Sequence, residues 1–89
     1  MIIRPEISDD KIETALKSLK DKLNYRLNTK GRGSFASTHE IDGLIDEEVR
    51  EFKDEVRANC HMRIREELLD VAVACIFSVA CLDSETLDW

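Results

Sequence analysis

Proline occurs once, glycine three times, and aromatic residues make up only 6% of the 89-residue sequence, so little interrupts a helix and no aromatic-rich sheet core is expected. No segment alternates Val, Ile or Thr with polar residues, and this excludes any strand that the pattern could define. Long apolar runs are also missing. The longest, Leu68 to Leu82, falls short of the roughly 20 residues a bilayer span requires and contains Asp70, so no membrane partner is expected. No basic stretch followed by an apolar one opens the chain, so no signal peptide is expected. Basic residues are in deficit, 13 against 19 acidic ones. The resulting formal charge of −6 argues against binding a nucleic-acid backbone. The three cysteines are odd in number and two, Cys75 and Cys81, sit in an apolar helical run, which suits a reducing cytoplasmic location better than a disulfide framework. Cys60 and His61 are adjacent, but two neighbouring ligands do not make a zinc site.

What is present is amphipathic helix. Hydrophobic residues make up 43% and charged residues 36%, too apolar a balance for a disordered chain. After a short arm, Met1 to Ile7, Ser8 offers an N-cap and Asp9 and Asp10 favour the positive end of a helix dipole. Ile12, Leu16, Leu19, Leu23 and Leu27 then draw one stripe and predict a packing helix over about 8–28. Asn28 to Ser37, with Gly31, Gly33, Lys30 and Arg32, reads as a basic loop that either contacts phosphates or simply connects helices. Ser37 and Glu40 have the spacing of a capping box and open a second helix over about 38–57. Asn59 suits a C-cap, Ala58 to Met62 breaks the pattern, and a third helix follows over about 63–82 with a short tail from Asp83 to Trp89. The chain thus reads as a single all-α domain, 1–89, a three-helix antiparallel bundle. Val71 to Ala80 are apolar on nearly every side, so burial of Val73, Phe77 and Ala80 against a second copy, completing the bundle by homo-oligomerisation, is expected unless the first helix covers them.

Acidic residues break the apolar pattern at two places. Glu48 falls within the face defined by Ile41, Leu44, Ile45, Phe52 and Val56, with Glu51 at its edge and Glu47 turned to another side. On the third helix Glu67 and Asp70 border the stripe of Ile64, Leu68, Val71 and Cys75. If the second and third helices are antiparallel neighbours, the two carboxylate pairs share a seam and repel unless protonated or bridged by a multivalent cation. Oxygen donors without Cys or His favour magnesium, with manganese or calcium as the alternatives, and such a cation would bring phosphate oxygens with it. The alternative is a solvated acidic face paired with Arg63 and Arg65.

Glu47-Glu48-Val-Arg-Glu51, fifteen residues, then Glu67-Leu-Leu-Asp70 resembles the Glu-Glu-x-x-Glu…Glu-x-x-Asp signature of MazG-like, all-α nucleoside triphosphate pyrophosphohydrolases. The resemblance covers about half the chain. It implies that Glu48, Glu51, Glu67 and Asp70 hold Mg2+ against the phosphates of a nucleoside triphosphate. A water activated by the ions would attack phosphorus, releasing pyrophosphate and a nucleoside monophosphate. Glu47 would orient a ligand or assist as base, unless its outward direction leaves it a surface residue, and Lys30, Arg32 and Lys53 would bind the outer phosphates. Members of the family usually continue into a fourth helix with further polar and basic contacts, so a homodimer or homotetramer is expected to supply that wall here. The small size would suit a phage protein. The reading set against this one is a catalytically silent helical module that binds nucleotide or protein.

Overall fold

The computed structural model describes residues 3–88. Met1, Ile2 and Trp89, the outer ends of the expected arm and tail, lie outside it. Three helices follow one another: α1 (Asp9–Lys30), α2 (Thr38–Ala58) and α3 (His61–Asp83). The described residues contain no strand.

Each boundary has a local cause. Ser8 Oγ accepts from the Lys11 N–H at 3.3 Å and starts α1. That helix runs two residues past the expected Asn28, because Gly31 can take φ 80° and donates its N–H to Leu27 O at 3.0 Å. Lys30 therefore belongs to the last turn of α1 and not to a loop. Ser37 Oγ accepts from the Glu40 N–H at 3.2 Å and caps α2. At its far end Asn59 adopts the left-handed conformation, φ 55°. Asn59 N–H bonds Val56 O and Cys60 N–H bonds Glu55 O, the paired bonds of a Schellman turn. So compact a turn needs only Asn59 and Cys60, so α3 begins at His61, two residues before the expected Arg63.

The α2–α3 pair is an antiparallel hairpin, closed at its open end by the Asp88 N–H donating to Ala36 O at 2.6 Å. Helix α1 runs parallel to α3, since Ser18 meets Arg65, Lys22 meets Glu66 and Asp70, and Leu27 packs by Phe77 and Cys81. The α1 and α2 backbones each lie close to α3 and not to each other. Helix α3 is thus a floor between two walls.

The core lies at one end of that floor. Phe35, from the α1–α2 connection, meets Phe77 edge-to-face with ring centroids 5.3 Å apart, and Cys81, Leu27, Ile41, Leu44 and Leu87 close around them. Val73 and Phe77, expected at a contact with a second copy, are instead buried within the single chain at 4% and 8% exposure, because α1 and Phe35 cover them; Ala80 is exposed. The inward row of α3 is Ile64, Glu67, Val71, Ala74, Ser78 and Cys81, one position round from the stripe read in the sequence, and Leu68 is left exposed. That small rotation moves Glu67 from the border of the stripe into the packed row itself. All three cysteines are free thiols. No helix of the described chain is long and apolar enough to cross a membrane.

Candidate metal centre

About two turns from the aromatic pair, α3 carries Glu67 and Asp70 towards Glu48 of α2. Carboxylate oxygens of Glu48, Glu67 and Asp70 lie within 4.8 Å of one another, the only such set of three or more potential ligands among the described residues. Each is half-buried. Antiparallel packing across a two-residue turn brings i and i+3 of one helix opposite a single position of the other. Glu51 stands outside this trio and is exposed on α2. Glu47 is likewise exposed.

The electrostatics of the trio are unbalanced. Glu48 Oε2 and Glu67 Oε2 are shut off from solvent and have no hydrogen-bond partner. A buried, unpaired carboxylate oxygen costs several times what an exposed one does, so each group resists ionisation. Burial pushes the Glu48 carboxyl above its ordinary range, and repulsion from Glu51, Asp70 and Glu47 adds to this against a small opposing pull from Lys30. Glu67 is raised in the same way, by burial first and then by Asp70, Glu51 and Glu48, with Lys22 opposing. Glu51 therefore acts on two of the trio, Glu48 and Glu67, through its charge from outside it.

These residues fit a divalent cation: the donor set is all carboxylate, the oxygens converge, and two of them have nothing else to bind. Three carboxylates leave coordination positions that water or phosphate oxygens fill. Across the floor from α2, α1 presents a cationic row. Lys22, Arg26 and Lys30, at i, i+4 and i+8, line a cleft of about 190 Å3 together with Tyr25, Thr29, Leu44, Glu48, Asp70, Val73 and Ala74. The Arg26 guanidinium lies 4.4 Å from the Phe77 ring centroid and 5.7 Å from that of Phe35, so the aromatic pair fixes its place on the cleft wall.

Of the three cations singled out in the sequence for phosphate, Lys30 lies in this cleft. Arg32 lines a different one, about 270 Å3, between α1 and the end of α3 with Leu23, Ile76, Phe77 and Thr86. Lys53 is exposed on α2, outside the lining of the Glu48 cleft. Lys22, Arg26 and Glu66 were missed. Lys22 and Arg26 immediately precede the stripe residues Leu23 and Leu27, so the four-residue spacing from Lys22 to Lys30 was a usable signal of a charged flank beside the packed face. Cys60 caps α3 without a side-chain hydrogen bond and is not part of the acidic set.

No protein-family model, no curated protein and no solved structure matches this chain at a significant level.

Proposed function

We propose that this chain is a divalent-cation-dependent nucleoside triphosphate pyrophosphohydrolase, similar to the MazG-like enzymes, with Mg2+ or Mn2+ as its cation. One observation carries the reading: three carboxylates converge within 4.8 Å, two with orphaned buried oxygens, and two of the three, Glu48 and Asp70, line a cleft whose opposite wall is Lys22, Arg26 and Lys30. An anionic pocket facing a cationic wall suits a cation–polyphosphate pair better than either ion alone. The joined acidic motif supplies the nucleotide part of the proposal.

Glu48, Glu67 and Asp70 would hold the cation, which supplies charge neutralisation at the phosphates and a lowered pKa for the attacking water. Glu51 adds negative potential that draws cations towards the trio. The Lys30 ammonium and Arg26 guanidinium face the same cleft and would bind the outer phosphate oxygens, orienting the pyrophosphate as leaving group.

Pyrophosphate release from a panel of standard and modified deoxynucleoside triphosphates, with Mg2+ or with EDTA, tests this. Release that depends on the cation is expected from at least one substrate; no release from any of them would sink the hydrolase reading.

A second reading has its own observation. Leu68, Ile76, Val79 and Leu82 of α3 and Ile12 and Leu16 of α1 are large apolar side chains left about half exposed. So much uncovered apolar helix favours a helical partner, a second copy of the chain in the first instance. Sedimentation of the purified protein distinguishes a monomer from the proposed homo-oligomer.

A further inference from the structure

Asp70 differs from the other two members of the trio, because one of its oxygens is already engaged. Lys22 Nζ lies 2.9 Å from Asp70 Oδ1, and the same ammonium donates to Glu66 Oε2 at 2.8 Å and to Glu66 O at 3.1 Å. Two of the ammonium's three protons go to the Glu66 oxygens, and the Asp70 carboxylate is its second ion-pair partner. The acceptors sit one turn apart on α3, and the Lys22 side chain is only 25% exposed, so the group is held from three directions. Burial works to lower the Lys22 pKa, but the hydrogen bonds and charges of Glu66 and Asp70 outweigh it and raise it, keeping the ammonium charged. A carboxylate held by one oxygen still has the other to offer.

We propose that Lys22 is a positioning residue of the metal centre: anchored by Glu66, it fixes the Asp70 carboxylate so that Asp70 faces Glu48 and Glu67 ready to ligate. The inference rests on the divalent-cation reading of the trio. It gives α1 a part in building the site, which the acidic motif of α2 and α3 does not contain. It also separates two effects of one charge. A lysine beside a cation site repels the cation, so on electrostatics alone its removal tightens binding. A partner that orients a ligand has the opposite effect, since losing it typically weakens metal binding about 10–100-fold.

The test is calorimetric titration of the metal-free protein with Mn2+, for wild type, Lys22→Met, Lys22→Arg and Ser18→Ala, with the metal-free Tm of each. Ser18→Ala is the control, because Ser18 Oγ accepts from Arg65 Nη2 at 2.9 Å and ties the same two helices without touching the trio. Lys22→Met is expected to weaken Mn2+ binding about tenfold or more. Lys22→Arg, whose guanidinium can bridge two carboxylates, recovers most of that loss. Ser18→Ala lowers the Tm and keeps the wild-type affinity. Should Lys22→Met not fold, Lys22→Gln replaces it with the same expected direction. Affinity equal to or tighter than wild type without the lysine overturns the proposal, and so does an equal loss in Ser18→Ala, which would reduce Lys22 to a helix tie. Wild type that shows no saturable Mn2+ binding overturns the metal reading itself.

Discussion

Phe77 and Asp70 stand seven residues, ~10 Å, apart on α3 and are surrounded in opposite ways. Around Phe77 every neighbour satisfies another: Phe35 meets its ring edge-to-face, Arg26 lies over it, and the buried Ser78 hydroxyl donates to Ala74 O at 2.7 Å. Around Asp70 two carboxylate oxygens are buried without a partner and a third is held by a lysine from another helix. The first region gives the fold its cohesion, and the second spends some of it to bring like charges together. Such a division is typical of a functional site on a small scaffold, where local strain persists only because packing elsewhere enforces it.

The contrast is open to measurement. Phe77→Ala should have the largest effect, a loss of about 3–5 kcal/mol of the 5–15 typical of a domain, seen as a low or vanished urea transition. A loss below about 1 kcal/mol would mean that the aromatic end is not the core. Glu48→Gln should cut cation-dependent turnover roughly a hundredfold or more, because a carboxylate ligand is lost, while the metal-free Tm stays at or above that of wild type. A fall in Tm would show that the trio stabilises the fold instead of straining it. Mn2+ at a hundred times its dissociation constant should add about 2.7 kcal/mol to wild-type stability, and less to Glu48→Gln. Ser37→Ala removes the buried cap of α2 and should cost about 1 kcal/mol without altering Mn2+ affinity.

A smaller effect concerns pH. Glu48 and Glu67 keep their protons to higher pH in the folded chain than in the unfolded one, where the ordinary value is 4.5. Between the unfolded and the raised folded pKa the native state binds more protons, so the contribution of these groups to stability falls as pH rises through that window and stays low above it. Glu66, held below its ordinary value by its hydrogen bond to Lys22, contributes in the opposite sense. The difference in Tm between wild type and Glu48→Gln isolates Glu48 and should widen, in favour of the variant, from pH 4 to pH 7. A flat difference would mean that Glu48 titrates normally.

Much of this was legible in the residues. Ser8, Ser37 and Asn59 marked helix ends because capping is a local matter of one side chain or one backbone angle. Glu48 was conspicuous because a charge within an apolar stripe violates the helical period. The rotation of α3 was not legible, since Leu68, Leu69, Val71, Ala72 and Val73 allow several packed faces and only the partners choose among them. Phe35 and Leu87 were overlooked as core because they lie outside the helices, where periodicity is silent. The role of α1 was hidden for a related reason: its lysines read as a solvated flank until Asp70 and Glu66 were brought beside Lys22.

Because the α1 backbone lies close to α3 and not to α2, the molecule has a seam along which it can come apart in stages. No residue of α1 is fully buried, and its first two turns leave Ile12 and Leu16 uncovered. Backbone amides there should exchange with deuterium soonest, while the α2–α3 hairpin, fastened at both ends by the Asn59 turn and the Asp88–Ala36 bond, stays protected longest. A ligand bridging the cleft would join the loosest helix to the tightest pair, and slower exchange along α1 would register its arrival.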